Sequence, residues 1–398
     1  MNQASLAQLI DRAPLVVCLG PGGVGKTTLS AIIALRQAAF GRRALVLTID
    51  PARRLADALN VTGLTNDPVE VGSFRKLHPG GSLSALMLDP TSTFDHMISL
   101  LVADPDRRAA LFSNRFYQHL SRSLSGTLEY MAVERLHELT ATAGFERIVL
   151  DTPPTTNALD FLEAPDRLAD FFSEKITRWF MPSAGEQAPS WTARLFSRAG
   201  STALGLLTRV AGESFVEDTV GFFAAFADIF GHVRSRGVAV GKLLRDPSTL
   251  FLIVCSPDSN RLAEAIEIDR RLAQAGCKAG AFVVNRVDEP FLPEPADFEQ
   301  AVERTTLLSG AEGDSERVRA FLDRLEKTRK VHESAAAAHA RALEELRQHA
   351  RSRPVFAAPR VPGGQSPRAA LLALYVGLFS EEAPRVEQAR ERREGDSP

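Results

Sequence analysis

A glycine-rich stretch near the start of the chain has the residue types that hold a phosphate chain. In residues 18–30, CLGPGGVGKTTLS, four residues separate Gly20 from Gly25. Glycines let backbone N–H groups converge on phosphate oxygens, and a helix that begins directly afterwards adds a partial positive charge. Lys26 and Thr27 follow, and at this spacing a lysine bridges the β- and γ-phosphates while a threonine hydroxyl binds Mg²⁺. The stretch therefore predicts a site for a magnesium-bound nucleoside triphosphate.

Seven short apolar runs must form the elements that position this loop. The runs are continuous rather than alternating, which is typical of parallel strands covered by helices on both faces. Helical stretches separate them, so the pattern predicts an α/β fold with a doubly wound, mostly parallel sheet. The runs lie at residues 15–19, 44–50, 83–89, 147–151, 249–255, 279–285 and 354–359.

Two helical stretches interrupt this rhythm and suggest how the chain is divided. One is residues 91–145; the other, residues 165–245, is rich in large apolar side chains and indicates a helical insert subdomain. The insert either covers the sheet or binds a client on an apolar surface. The nucleotide-binding core is then predicted over residues 1–90, 146–164 and 246–380, with a long helix at 315–352 and a charged tail at 381–398.

Composition narrows the class of protein. The chain has 398 residues, 44% hydrophobic and 24% charged, which is typical of a globular protein with a large core. The net charge of −2 gives no electrostatic reason to expect nucleic acid as a partner. The sequence shows no signal peptide and no apolar run of 18 residues, so we expect a cytoplasmic protein.

Three motifs together resemble a known family. The string GPGGVGKTT resembles the deviant phosphate loop of the SIMIBI class of P-loop NTPases. Asp50 begins a D-P-A segment after the second apolar run, and Asp151 begins D-T-P-P-T after the fourth. In this order they resemble the arsenite-pump ATPase and tail-anchored-protein targeting ATPase family, from about residue 13 to residue 380. The resemblance implies a Mg²⁺-dependent ATP hydrolase.

The resemblance also implies roles for single residues. Asp50 would orient or deprotonate the attacking water, although an aspartate before Pro51 is also an ordinary helix N-cap. The resemblance identifies residues 146–164 as containing switch II, whose Asp151 would hold Mg²⁺ through water, with Thr27 binding the metal directly. Asn285 would recognise adenine, although a turn residue at a strand end is the alternative. The implied catalytic residues are Lys26, Asp50 and Asp151, and the implied nucleotide-binding residues are Gly22, Gly23, Val24, Gly25, Lys26, Thr27, Thr28 and Asn285.

The sequence departs from the family pattern at two points. Pro21 stands where the family has a lysine that reaches across a dimer interface. Either the protein does without this cation, or Arg53 or Arg54 supplies a replacement; these arginines could also be merely solvated. The three cysteines are scattered and form no C-x-x-C pair, so the family's zinc clasp is not expected and a metalloid-activated pump is disfavoured.

The implied partners are ATP, a second subunit and a client. The resemblance predicts a nucleotide-driven dimer, either of identical chains or with a paralogue, that handles a hydrophobic helix or a membrane protein. A regulatory or scaffolding NTPase with weak hydrolysis is an alternative, and a metalloid pump subunit is a third. ATP is favoured because residues 285–288, N-R-V-D, lack the lysine of a guanine-binding N-K-x-D motif, but this near match leaves GTP open.

Overall fold

A mostly parallel eight-stranded sheet forms the centre of the molecule. The computed structural model describes residues 4–50, 54–72, 78–102, 104–114, 128–141, 144–153, 235–288, 315–361, 363 and 366–379. In the sheet the order is β3-β4-β2-β5-β1-β6-β7-β8, and every neighbouring pair is parallel except β3 with β4. The strands are β1 (Leu15–Leu19), β2 (Arg43–Thr48), β3 (Val69–Glu70), β4 (Ser82–Met87), β5 (Arg147–Asp151), β6 (Leu250–Cys255), β7 (Ala279–Val287) and β8 (Val355–Pro359).

Helices connect the strands and cover the sheet. Each of the seven predicted apolar runs forms one of the parallel strands, and the predicted helix at 315–352 is present. The described helices are α1 (Leu6–Arg12), α2 (Lys26–Ala39), α3 (Arg54–Leu59), α4 (Pro90–Leu101), α5 (Pro105–Ser113), α6 (Leu128–Ala141), α7 (Ser259–Gln274), α8 (Ser315–Ala350) and α9 (Pro367–Leu378). Residues 235–245 are also helical.

Buried side chains fill the space on both faces of the sheet, which explains why the strands are apolar throughout. The odd-numbered residues of β1 belong to one core cluster and the even-numbered residues to a second. Cys18 lies in the second cluster, whereas Cys255 and Cys277 lie in the first. Because the sheet separates Cys18 from the other two thiols, the three cysteines do not form one metalloid site, and they are free and buried.

Part of the predicted organisation falls on residues that the structure does not describe. The helical insert at 165–245 lies outside the described residues except for 235–245, as do switch II beyond residue 153 and the tail at 381–398. The predicted domain boundaries therefore stay predictions. None of the helices in the described part of the chain combines the length and apolar character that crossing a bilayer requires.

Candidate functional site

Close backbone packing shapes the loop between β1 and α2. Gly25, the N-cap of α2, has a φ of 95°, a conformation that L side chains rarely adopt. A Cβ there would lie 2.3 Å from Nδ2 of Asn285. A Cβ on Gly20 would lie 2.1 Å from the carbonyl oxygen of Val254 in β6. Both positions require glycine because the loop is pressed against the ends of β6 and β7.

The ammonium group of Lys26 lies over this loop. Its Nζ donates hydrogen bonds of 2.8 Å to the carbonyl oxygens of Gly20 and Pro21. Burial lowers the pKa of Lys26 to about 8, against the opposing charges of Asp151 and Asp50, which raise it. The lysine is therefore a cation held in a site where its positive charge is poorly solvated.

Asp151 ends β5 at the floor of the same site. Its Oδ2 accepts a 2.9 Å hydrogen bond from the Thr48 hydroxyl, and Oδ1 lies 3.5 Å from the Ser30 hydroxyl. Burial raises the pKa of Asp151 to about 6, although hydrogen bonds from Thr27 and Thr48 lower it. The carboxylate is fully buried and held by hydroxyl groups from α2 and β2.

Asp50 follows β2 and stands beside this floor. Its backbone N–H donates a 3.2 Å hydrogen bond to Oγ1 of Thr48, which also contacts Asp151. Oδ2 of Asp50 lies 3.4 Å from Nη1 of Arg54, the first residue of α3. Arg53, the other predicted replacement cation, lies outside the described residues. Asp50 thus joins the end of β2 to the start of α3 at the mouth of the loop.

These groups surround a cavity of about 400 Å³, which we call the loop cavity. Six of the predicted site residues line it, and Gly22, Val24, Asp151 and Asn285 lie outside its lining. Its volume is within the range of ordinary ligand sites. The lining residues are Gly23, Gly25, Lys26, Thr27, Thr28, Asp50, Arg54, Asp57, Ala58, Thr152, Arg286, Pro367, Ala370 and Leu371.

Oxygen donors at this edge of the sheet fit a small divalent cation. Thr27 lies in the first turn of α2, and its hydroxyl contacts the Asp151 carboxylate. Hydroxyl and carboxylate oxygens are hard ligands of the kind that Mg²⁺ prefers, and Mg²⁺ usually keeps several waters. The donor set of Thr27 and Asp151 therefore suits a hydrated Mg²⁺ beside a phosphate chain.

Asn285 contacts the loop from behind. Its Nδ2 donates a 2.8 Å hydrogen bond to the Val24 carbonyl, and its Oδ1 accepts 2.9 Å from the backbone N–H of Arg286. The residue is only 7% exposed. The amide therefore ties β7 to the loop, while its predicted adenine-recognition role stays a prediction.

Asp288, the last residue of the N-R-V-D stretch, is engaged elsewhere. Its Oδ1 lies 2.6 Å from Nε of Arg360, just after β8, and Nδ1 of His339 accepts its backbone N–H at 3.0 Å. The Arg360 hydrogen bond lowers the pKa of the Asp288 carboxyl. The carboxylate that a guanine-binding motif would offer to the base is thus neutralised by a neighbouring arginine.

The sequence did not predict four parts of the cavity lining, which are Thr152, Arg286, the α3 residues Asp57 and Ala58, and the start of α9. Thr152 follows Asp151, and its hydroxyl donates 2.8 Å to the carbonyl of Cys18. Arg286 follows Asn285 and has a φ of 63°, at a register shift between β7 and β8. The start of α9 forms one wall, at Pro367 and Leu371. Thr152 and Arg286 are sequence neighbours of the predicted site residues Asp151 and Asn285, and this adjacency could have identified them. The sequence pattern did not predict that α9 lies against the cavity.

Comparisons with known proteins agree on one group of relatives. Residues 14–186 match the family model described as anion-transporting ATPase. ATPase GET3A of Arabidopsis thaliana is 29% identical over 290 residues, covering 72% of this chain and 71% of the plant protein. ATPase GET3 of Malassezia globosa is 27% identical over 288 residues, covering 72% of this chain and 77% of that protein. An ATPase ASNA1 homolog of Cryptosporidium parvum is 29% identical over 287 residues, covering 71% of this chain and 68% of that protein.

Proposed function

We propose that this chain, which matches the anion-transporting ATPase family model over residues 14–186 and resembles GET3 ATPases along 72% of its length, hydrolyses ATP in the loop cavity, and that hydrolysis there is Mg²⁺-dependent. The observation that carries the proposal is the convergence of Lys26, Thr27 and Asp50 on one cavity directly above the buried Asp151. Three strand ends and one helix start supply these groups, as expected where a doubly wound sheet binds a ligand at its carboxyl edge.

In the proposed reaction, different residues of the chain contact the phosphates, the metal and the attacking water. The loop amides and Lys26 bind the phosphates, with the ammonium exchanging its two carbonyl partners for phosphate oxygens. Mg²⁺, when bound, neutralises phosphate charge. Thr27 and the ionised Asp151 hold the hydrated ion, and Asp50 orients the attacking water. Thr28 also lines the cavity, and we assign it to the α-phosphate.

The output of hydrolysis is proposed from the relatives. Proteins that resemble this chain along about 70% of its length include ATPases named for GET3, and the family resemblance implies a dimer that handles hydrophobic helices. We therefore assign to this protein a nucleotide-driven homodimer whose client is an apolar helix of a membrane protein. The structure supports ATP over GTP because the Asp288 carboxylate is paired with Arg360.

The direct test is nucleotide binding and turnover by the purified protein. With Mg²⁺, wild type should bind and hydrolyse ATP, and Lys26→Ala should lose most of its ATP affinity. Arg270→Ala removes a cation that pairs with Glu267 on the exposed face of α7, so it serves as a matched charge control and should behave like wild type. Undiminished ATP affinity in Lys26→Ala would overturn the proposed site. Adding an apolar helix should change the rate of ATP turnover. If no such helix changes this rate, the proposal that apolar helices are clients is wrong.

A further inference from the structure

The loop cavity contains a cation that the phosphate loop itself does not supply. Arg54, at the start of α3, lines the cavity together with Lys26, and its Nη1 lies 3.4 Å from Oδ2 of Asp50. Asp50 is the carboxylate proposed to orient water, so the guanidinium stands on the side where the γ-phosphate would be attacked. A cation at that place interacts with the charge that develops during phosphoryl transfer.

The environment of Arg54 leaves it able to reach a ligand. Its side chain is 57% exposed, whereas the Asp50 side chain is only 12% exposed. A single contact of 3.4 Å is longer than a normal charge-assisted hydrogen bond, and an exposed pair of this kind contributes little stability. A phosphate oxygen would compete well for the guanidinium. The contact with Asp50 therefore orients Arg54 without holding it firmly.

Apart from Lys26, the phosphate loop supplies no positively charged side chain to the cavity. Pro21 is buried and has no charged group, and its carbonyl oxygen already accepts a hydrogen bond from Lys26. Lys26 is itself poorly solvated. The other arginine of the lining, Arg286, follows the buried Asn285 at the end of β7, on the opposite side of the phosphate loop from Asp50. Among the described residues of the lining, Arg54 is the cation paired with the water-orienting carboxylate.

We propose that Arg54 is a catalytic residue that contacts the γ-phosphate of ATP from within the same chain and stabilises the transition state of hydrolysis. The inference rests on the proposed ATP site. In the reaction a water oxygen bonds to the γ-phosphorus while the bond from that phosphorus to the bridging oxygen breaks. ADP leaves with the bonding electron pair, and the proton of the water passes to Asp50 and then to the released phosphate. Arg54 neutralises negative charge on the γ-phosphoryl oxygens as this occurs.

Arg54→Ala tests this role against the matched control Arg270→Ala, because the Arg270 side chain is also 57% exposed and also pairs with a carboxylate. Single-turnover hydrolysis and ATP affinity are measured for both variants. We expect Arg54→Ala to reduce the rate constant roughly 100-fold while the Kd for ATP changes by about threefold or less. Arg54→Lys should recover part of the rate, because a lysine keeps the charge but not the planar fork.

Binding of a transition-state analogue separates contact with phosphate from an effect through Asp50. Arg54→Ala should weaken binding of ADP with aluminium fluoride by about the same factor as the rate, and should do so again when introduced into an Asp50→Asn protein. If Arg54 only positioned Asp50, the second effect would vanish. That result, or an unchanged rate in Arg54→Ala, would overturn the inference. Failure of wild type to hydrolyse ATP would instead overturn the proposed function.

Discussion

Lys26 carries its ammonium group into a site where burial works against positive charge. Its pKa is lowered to about 8, so the group begins to lose its proton just above neutral pH when no phosphate is present. A bound triphosphate supplies negative charge and should return that pKa toward its ordinary range. Nucleotide binding and protonation of Lys26 are therefore linked.

This linkage predicts a pH dependence of ATP affinity. Above pH 8 the empty protein must take up a proton to bind ATP with a charged Lys26, so the Kd should be about tenfold higher at pH 9 than at pH 7. Fluorescence titration at a series of pH values measures the Kd, and calorimetry in two buffers of different ionisation enthalpy measures the proton uptake. A Kd that stays constant between pH 7 and pH 9 would contradict the assigned contact.

The pKa of Asp151 is shifted in the opposite direction from that of Lys26. Its pKa is raised to about 6 by burial, from 3.8, so the folded protein holds a proton that the unfolded chain loses between about pH 4 and pH 6. The stabilisation from this group is thus present below pH 4 and is lost as pH rises to about 6. At neutral pH the ionised, buried carboxylate of Asp151 therefore lowers the stability of the folded protein.

Asp151→Asn should therefore stabilise the nucleotide-free protein at neutral pH. Relative to wild type, its free energy of unfolding should rise between pH 4 and pH 6 by about 1–3 kcal/mol, since a pKa shift from 3.8 to about 6 corresponds to about 3 kcal/mol at most. Urea unfolding of both proteins at several pH values measures the difference. The variant should also lose Mg²⁺-dependent hydrolysis. A difference that does not change with pH would show that Asp151 does not titrate in this range.

At the level of elements, the site depends on a contact between parts of the chain 261 residues apart. Asn285, near the end of β7, donates to the Val24 carbonyl in the loop after β1. The loop also needs Gly25, because a side chain there would meet the same amide. Strand β7 thus fixes the shape of a phosphate loop that belongs to a different strand.

Asn285→Ala distinguishes this bracing role from recognition of adenine. Removing the amide leaves the buried Val24 carbonyl without its donor, and we expect the Kd for ATP to rise roughly tenfold. Binding of inorganic tripolyphosphate, which has no base, shows whether the lost affinity comes from the loop or from adenine recognition. If the amide braces the loop, tripolyphosphate affinity falls by a similar factor. If the amide only reads adenine, tripolyphosphate binds the variant as tightly as it binds wild type.

The sequence predicts the strands and helices that carry this site, but it does not predict how they contact one another. Continuous apolar runs identify all seven parallel strands, because burial on both faces leaves no polar alternation. The two-residue strand Val69–Glu70 is too short to show a period, and it pairs antiparallel at the sheet edge. The left-handed backbone of Arg286 and the wall formed by α9 depend on tertiary packing, so local sequence patterns do not predict them.

For the whole molecule, the proposed function requires that ATP binding in one cavity cause a change large enough to act on a client. The family resemblance implies that ATP joins two copies. A chain of 43.3 kDa should then double its mass when ATP is bound and hydrolysis is slow. Asp50→Asn supplies the slow enzyme, since it removes the carboxylate proposed to orient water while leaving Lys26 to bind the phosphates.

Light scattering on eluted protein tests this change of state. With ATP and Mg²⁺, Asp50→Asn should elute at twice 43.3 kDa, whereas with ADP it should elute at 43.3 kDa. Adding Lys26→Ala to the same protein is the control and should abolish the ATP effect, because the dimer depends on an occupied site rather than on the Asp50 substitution. A protein that binds ATP yet keeps one mass in every nucleotide state would refute the switch. Arg54 and the rest of the loop cavity would then serve hydrolysis within a single chain.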